Sequence, residues 1–355
     1  MQNVKPLNRP EQGDPAVAAI LASSDVWDMT VAWLRAYWDL ETLRRYKHAG
    51  YTFVSLTLHN WPPTLEKMLM LIAEFKDRVH SESDWLTFGS SVAEIEAGRR
   101  AGKLVLGLNS QETLPIGMDL SRIEVLHAAG IRHMLLAYNI RNFVADGCAE
   151  VANAGLSNYG RLVVKEMDRV GIILDCTHTG HRSTLEAMEL TARPPVFSHS
   201  GAHKVFPHIR NIHDDQIRAC AAKGGVIGVV GMGAFLSGDR QASTEDYFRH
   251  MDYMVSLVGP EHVGLGTDYV PDLRYDRDAF SKRMAEAGDQ HWPPPGIGWA
   301  RPAGQRLIDE NTAEGSSVQP EQLFEIVETM LAHGYSTESV KSIVGANFKR
   351  VYATL

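Results

Sequence analysis

The sequence predicts an α/β protein built as a single (β/α)8 barrel of the TIM type. Short apolar, partly β-branched segments recur along the whole chain, and segments with a helical period separate them. Eight such strands are predicted, and a closed barrel of this type needs eight parallel strands. A doubly wound open sheet is the alternative, but no glycine-rich dinucleotide-binding motif follows the first strand.

The predicted strands are spread over the chain at intervals that leave room for a helix between them. Buried parallel strands appear in a sequence as short, nearly continuous apolar runs. The eight predicted strands are Val26–Val31, Tyr51–Thr57, Lys103–Leu108, His133–Ala137, Gly171–Cys176, Pro195–Ser198, Gly225–Val230 and His262–Gly266. Amphipathic helices are predicted at Leu34–His48, Leu120–Ala129 and Leu156–Val170, and a helical period returns from Pro320 to Leu355.

One segment, about residues 275–317, breaks this alternation. It contains the proline-rich run from Trp292 to Gly296 and many charges, with little periodicity. Because it follows the eighth strand, we expect a long loop inserted over the barrel mouth, and a disordered insertion is the alternative. The predicted organisation is therefore an amino-terminal extension, 1–24, followed by a barrel domain, 25–355.

Composition excludes several classes of protein. The chain has 355 residues, 44% of them hydrophobic, and a net charge of −8 with scattered basic residues, so no nucleic-acid partner is expected. No apolar stretch reaches the roughly 18–20 residues that span a bilayer. The apolar patch 16–22 lacks a basic region before it, so a secretory signal is not expected. The three cysteines are an odd number and predict free thiols in the cytoplasm.

Two histidines and one aspartate follow predicted strands. His178 closes the fifth strand, and His199 closes the sixth, twenty-one residues later, while Asp268 follows the eighth. The carboxyl ends of parallel strands meet at one rim of a barrel, where barrel enzymes keep their chemistry. Neutral imidazole is a frequent zinc ligand, and a facing carboxylate can hold or deprotonate a metal-bound water. Taken singly, each histidine could be structural and Asp268 could cap a helix.

Other predicted strand ends supply further candidates. The second strand is followed by His59, which we expect to contact the ligand or close the barrel mouth. Gln111 and Glu112 follow the third strand, and the role of Glu112 is open because adjacent residues point in different directions. Tyr138 and Asn139 follow the fourth strand and are predicted to bind substrate.

Several motifs resemble those of the membrane (renal) dipeptidase family in the amidohydrolase superfamily. The resemblance runs from about Asp25 to the carboxyl terminus and includes the twenty-one-residue spacing of the histidines and an arginine eleven residues past His199. Its most specific stretches are Leu174–His178, Phe197–Ser200, Arg210-Asn211, Gly264–Asp268 and Gly345–Phe348.

The resemblance implies a barrel hydrolase that cleaves dipeptides with two zinc ions. In that family a His-x-Asp pair after the first strand holds one ion, a glutamate after the third strand bridges both, and two later histidines hold the second ion. Here the second ion's ligands would be His178 and His199. Asp268 would be the catalytic acid/base, and Arg210 would bind the substrate carboxylate with its planar fork.

The chain departs from the family pattern at the first metal site. Thr30 and Ala32 stand in place of the His-x-Asp pair, Gln111 in place of the bridging glutamate, and Tyr138 in place of a substrate-binding histidine. These side chains do not supply the negative charge that a second dication needs. We therefore expect at most one zinc ion, on the two histidines with Gln111 or Asp268 as a further candidate ligand.

The expected function is that of a metallohydrolase acting on a dipeptide or another small amino-acid-derived amide. One alternative is a metal-independent lyase, isomerase or tailoring enzyme acting on a small carboxylate. In it Asp268, Tyr138 and the histidines are the acid and base groups. The other alternative is a non-catalytic binding protein. A small-molecule substrate is expected in the first two cases, and a homodimer is expected from the family resemblance alone.

Overall fold

The computed structural model describes residues 14–33, 39–58, 64–238, 242–270 and 317–355. In these residues nine strands form one sheet, and every pair of neighbours is parallel. The strands are β1 Trp27–Ala32, β2 Phe53–Thr57, β3 Leu86–Phe88, β4 Leu104–Ser110, β5 Ile131–Leu135, β6 Ile173–Asp175, β7 Val196–Ser200, β8 Val226–Val229 and β9 Val263–Leu265.

The sheet closes on itself. β1 pairs with both β2 and β9, and β2 also pairs with β4, so a ring of eight strands results. The predicted (β/α)8 barrel is confirmed, and each of the eight predicted strands corresponds to one strand of the ring. β3 was not predicted. It pairs with the first residues of β4, on the side where β5 pairs further along.

Helices alternate with the strands. Those in the described residues are α1 Pro15–Ser23, α2 Leu40–His48, α3 Leu65–Ser81, α4 Val92–Arg100, α5 Ser121–Ala129, α6 Asn158–Val170, α7 His181–Leu190, α8 Asp214–Ala222, α9 Gly233–Leu236, α10 Thr244–Val258, α11 Leu323–Ala332, α12 Thr337–Lys341 and α13 Asn347–Tyr352. Among these helices, none combines the length and apolar character needed to cross a bilayer. The predicted helix before β2 begins at Leu40, and residues 34–38 lie outside the described ranges.

Local sequence explains where α6 begins and ends. The Ser157 side chain accepts a hydrogen bond from the Gly160 N–H and so caps the amino terminus of the helix. Val163 and Met167 lie on its buried face. The helix ends at Gly171, whose φ of 86° lies in the left-handed region that favours glycine. β6 follows immediately and carries the chain to the rim where the strands end.

The barrel interior is apolar at one end and polar towards the other. Trp27 and Phe53 on the first two strands pack against Phe348 and Tyr352 of α13, which closes the end of the barrel where the strands begin. The interior is too narrow for side chains at some positions. A Cβ on Gly266 would lie 1.7 Å from the Ser198 carbonyl oxygen. Polar side chains lie near the opposite rim, where the predicted site is found.

Candidate active site

Three predicted residues meet at the rim where the strands end. His178 lies three residues after β6, and Asp268 lies three residues after β9. His199 is the next-to-last residue of β7. The Nε2 atoms of the two histidines are 2.9 Å apart. The Asp268 Oδ2 atom is 4.0 Å from the Nε2 atom of His199. Parallel topology thus brings together side chains that are far apart in the sequence, as predicted.

Both imidazoles are held through their other ring nitrogen. His178 Nδ1 donates to Asn139 Oδ1 at 2.7 Å, and this oxygen also accepts a hydrogen bond from Cys148 Sγ at 3.3 Å. Because Nδ1 of His178 carries the proton, Nε2 of that ring has a free lone pair. His199 Nδ1 lies 2.8 Å from Ser198 Oγ. A hydroxyl both donates and accepts, so Ser198 supports either tautomer of His199.

The guanidinium of Arg210 lies against the histidine pair. Its Nη2 atom is 3.1 Å from His178 Nε2 and 3.5 Å from the His199 carbonyl oxygen. Arg210 is only 3% exposed, and its Nε atom is buried without a hydrogen-bond partner. The guanidinium also lies 5.3 Å from the centre of the Phe235 ring. A buried positive charge thus lies beside the histidine pair.

Burial and this charge set the protonation of the site. Burial, followed by the charge of Arg210, holds the pKa of His178 and of His199 well below the ordinary imidazole value, so both rings are neutral at pH 7. Burial raises the pKa of Asp268 to about 7, although Arg210 acts in the opposite direction. A carboxyl group with such a pKa can both take up and release a proton near neutral pH.

Tyr138 and Cys148 complete the walls of the site. The Tyr138 ring stacks on the His178 ring with centroids 3.9 Å apart and planes at 23°. Cys148 is partly exposed and its thiol donates a hydrogen bond to Asn139 Oδ1; burial raises the pKa of this thiol, and the nearby charge of Arg210 partly offsets the rise. Sequence reasoning did not select Cys148, because a single cysteine in a loop without periodicity carries no signal of its position.

Asp28 is a second buried carboxylate near the rim. It accepts hydrogen bonds from the Thr30 N–H, the Thr267 N–H and the Thr267 hydroxyl, at 3.1, 3.1 and 2.6 Å. Burial raises its pKa to about 6, despite these hydrogen bonds. Asp28, the second residue of β1, therefore ties this strand to the residue that precedes Asp268. It lies within the first predicted strand, and its role was not predicted.

A sequence profile of the membrane dipeptidase family (Peptidase family M19) matches residues 38–275. The chain belongs to the membrane dipeptidase family. The match covers more than half of the chain and includes His178, His199, Arg210 and Asp268.

Individual relatives agree with this assignment. The chain is 26% identical over 255 residues to dipeptidase tcpJ of Claviceps purpurea, a match that covers 71% of this chain and 51% of that protein. It is 31% identical over 192 residues to dipeptidase aclJ of Aspergillus oryzae, covering 52% of this chain and 46% of that protein. The matched part is thus about half the length of these curated relatives.

Solved structures share the fold of this membrane dipeptidase family member. An amidohydrolase from Pseudomonas aeruginosa superposes with a TM-score of 0.81 at 25% identity, covering 95% of this chain and 98% of that one. A metallopeptidase from Rhodobacter sphaeroides, solved with a phosphinate mimic of the dipeptide L-Ala-D-Ala, superposes with a TM-score of 0.71 at 19% identity. This match covers 93% of this chain and 98% of that one.

The residues that the family resemblance places at the first metal position lack the ligands that an ion needs. Ala32 has no donor atom, and the Thr30 hydroxyl donates to the Met29 carbonyl oxygen at 2.7 Å. Gln111 donates through Nε2 to Thr57 Oγ1 at 3.1 Å, so its amide faces β2. These groups are neutral and give a dication none of the negative charge that it needs.

The histidine pair, in contrast, has the donor chemistry of a single metal site. Two neutral imidazoles present Nε2 atoms to the same point, and their outer nitrogens are fixed by side chains, as is usual for metal-binding histidines. Within the described ranges, however, no three histidine, cysteine, aspartate or glutamate side chains are placed to share an ion. Asp268, whose Oδ2 atom lies 4.0 Å from His199 Nε2, stays a candidate third ligand beside Gln111.

His59 lies outside the described residues, as does the 275–317 insertion apart from Ser317. Glu112 accepts hydrogen bonds from the Thr113 and Tyr138 N–H groups and from Asn142 Nδ2. It therefore supports the loop that carries Tyr138 and Asn139. The substrate-binding roles of Tyr138, Asn139 and Arg210, and Gln111 as a metal ligand, stay predictions.

Proposed function

We propose that this chain is a dipeptidase-like hydrolase that cleaves dipeptides or similar small amides with a free carboxylate and uses at most one zinc ion. The observation that supports it is the convergence of two neutral imidazoles, one guanidinium and one carboxyl group of raised pKa at the barrel rim. His178 and His199 would hold the ion, with Asp268 close by. A bound zinc ion would polarise the substrate carbonyl and lower the pKa of water.

The side chains of the chain divide the remaining work between them. Arg210 binds the substrate carboxylate, which places the scissile amide beside the histidine pair. Asp268 takes a proton from water and returns it to the leaving amine, and its pKa of about 7 suits both steps. Asn139 and Ser198 hold the two imidazoles in position. Burial of the site excludes bulk water and strengthens each of these interactions.

The test combines a metal count with a matched pair of substrates. Purified protein should contain no more than one equivalent of zinc by elemental analysis, and two equivalents would refute the proposal. Unmodified dipeptides should be hydrolysed, and their carboxyl-terminal amides should not, because the amides lack the group that Arg210 binds. Chelation should abolish hydrolysis, and Asp268→Asn should lower the rate at least about 100-fold, the usual contribution of a general acid/base.

The contact between Arg210 and His178 favours a second candidate, a metal-independent lyase, isomerase or tailoring enzyme of the same site. In it Asp268 and the histidines move the proton, while Arg210 binds a substrate carboxylate. Turnover of a small carboxylate that survives chelation but is lost in His199→Ala would select this candidate. A protein that shows neither metal nor turnover would be a binding protein.

Location and assembly complete the proposal. A cytoplasmic protein is supported by the three free thiols, two of which, Cys176 and Cys220, are buried. A homodimer is proposed on the family resemblance, and light scattering of the purified chain would test it.

A further inference from the structure

We infer that Arg210 controls access of a metal ion to the histidine pair. Its guanidinium and the ion compete for the same lone pair on His178, and a carboxylate-bearing ligand relieves this competition by drawing Arg210 away. The inference rests on the proposed function, because it takes His178 and His199 as the metal-binding side chains. It predicts that metal and carboxylate bind cooperatively.

The first step is the geometry at His178. Nδ1 of this ring donates to Asn139, so Nε2 has the only lone pair that a metal could use. Arg210 Nη2 approaches that nitrogen to 3.1 Å, and His199 Nε2 approaches it to 2.9 Å. Two zinc ligands at bond lengths of about 2.0–2.1 Å in a tetrahedral site lie about 3.3 Å apart. An ion therefore requires His199 to change tautomer, which Ser198 permits, and Arg210 to withdraw.

The second step is the charge of Arg210. A guanidinium does not lose its proton in proteins, so the positive charge stays wherever the side chain goes. Arg210 is 3% exposed, and a buried site screens the repulsion between its charge and a dication only weakly. The arginine thus lowers the affinity for metal for as long as it contacts His178. Substitution by an uncharged side chain should raise that affinity.

The third step is what releases the arginine. Arg210 Nε is buried and has no hydrogen-bond partner, which is unfavourable for a charged donor. A carboxylate can accept from Nε and Nη2 together, in the two-pronged geometry that such groups prefer. Turning the guanidinium towards such a carboxylate satisfies Nε and moves Nη2 away from His178. Because binding free energies are reciprocal, a carboxylate that strengthens metal binding must itself bind more tightly when metal is present.

The experiment measures zinc affinity by calorimetric titration of the metal-free full chain, with no need for turnover. Arg210→Met keeps a long side chain without the charge and should bind zinc at least about tenfold more tightly than the unsubstituted protein. Arg100→Met is the control. The Arg100 side chain is 70% exposed and has no part in the site, so this substitution should not change the affinity for zinc. His199→Ala should abolish binding.

A second titration tests the release. N-acetylglycine offers a carboxylate and has no free amine to chelate zinc, and N-acetylglycinamide differs from it only in lacking that carboxylate. Saturating N-acetylglycine should strengthen zinc binding to the unsubstituted protein at least about threefold, and the amide should have no effect. In Arg210→Met neither compound should change the zinc affinity, since the group that responds to carboxylate is gone.

The outcomes separate this inference from the proposed function. Zinc binding that is equally tight with Arg210 or Met at this position overturns the inference and leaves the metallohydrolase in place. The same follows if N-acetylglycine acts equally on both proteins. If neither protein binds zinc, although circular dichroism shows both to be folded, the inference falls together with the metal-dependent form of the proposed function.

Discussion

At Asn139, His178 and Asp268 the backbone adopts the left-handed conformation, although none of these residues is glycine; their φ values are 62°, 63° and 49°. Left-handed backbone is costly for residues with a Cβ and persists where the surroundings hold it in place. All three residues lie at the rim, and two of them are hydrogen-bonded to one another. The strained backbone turns their side chains towards the shared site.

Asn139 allows the strain and the hydrogen bond to be separated. Asn139→Ala loses the acceptor for His178 and keeps a Cβ in the left-handed region, whereas Asn139→Gly loses the acceptor but removes the strain. We expect the glycine variant to be about 1 kcal/mol more stable than the alanine variant, while both lose activity to a similar extent. Urea unfolding measures the difference. Equal stability would show that the backbone at this position is not strained.

The side chains of the candidate site could be predicted from the sequence to the extent that strand ends determine their position. His178, His199 and Asp268 each end a recognisable apolar run, and parallel topology brings such ends together. The contact of Arg210 with His178 could not be predicted, because Arg210 lies in a loop without periodicity. The direction of Gln111 depends on its hydrogen bond to Thr57, a partner on another strand, which one-dimensional patterns do not reveal.

At the scale of the elements, Asp175 ties the strands that carry the two histidines. It lies at the end of β6 and accepts hydrogen bonds from the Thr177 and Ser198 N–H groups at 3.0 and 3.1 Å. Its other oxygen accepts a hydrogen bond from His133 Nδ1 at 3.1 Å. Because Ser198 precedes His199 and Thr177 precedes His178, this one carboxylate fixes the relative position of both imidazoles.

The stability of the protein in acid should therefore depend on Asp175. Burial raises its pKa, but the hydrogen bond and charge of His133 outweigh this and hold the pKa at about 2, below the ordinary value of 3.8. The carboxylate thus contributes about 2 kcal/mol at neutral pH, and this contribution is lost as the pH falls from about 4 to 2. Asp175→Asn should be less stable at pH 7 by about this amount and should lose less stability over that interval.

Urea unfolding at a series of pH values checks this prediction, with Asp84→Asn as the control. Asp84 is exposed and lies in the turn between α3 and β3, away from both histidine strands. If Asp175→Asn loses as much stability in acid as the unsubstituted protein, Asp175 is not the group responsible for that loss.

Elements of different length were predicted with different success. The eight barrel strands were recognisable because each is an apolar run beside a helical segment. β3 has only three residues, Leu86–Phe88, two of which are half-buried, so no run of buried residues distinguishes it from a loop. The predicted ends of α2, α5 and α6 at His48, Ala129 and Val170 agree with the structure, whereas the predicted starts of α5 and α6 differ by one and two residues.

At the scale of the whole molecule, closure of the barrel determines how far apart the strand ends around the expected first metal position lie. Ala32 of β1 is paired with Thr57 of β2, and Thr57 is paired with Asn109 of β4. Gln111 follows β4 and reaches back to Thr57. The three positions that the family resemblance assigns to metal ligands, 30, 32 and 111, therefore lie on neighbouring strand ends of the rim. On that resemblance, the strands keep the arrangement of a two-metal site while the side chains at these positions differ.

This leads to a prediction about the triple variant Thr30→His, Ala32→Asp and Gln111→Glu. It adds one imidazole and two carboxylates where neutral groups now stand, so it supplies both the donors and the negative charge that a second ion needs. Elemental analysis should find about one more equivalent of zinc than in the unsubstituted protein. Hydrolysis of unmodified dipeptides should rise with it.

Gln111→Glu alone is the matched control, because a single added carboxylate without the β1 ligands should not bind a second ion. If the triple variant is folded but its zinc content is unchanged, the strands around this point must have moved apart as well as lost their ligands. The barrel would then differ from the family in shape and not only in side chains. Added zinc without added hydrolysis would instead assign the missing activity to Tyr138, which stands in place of a family histidine and which the triple variant leaves unchanged.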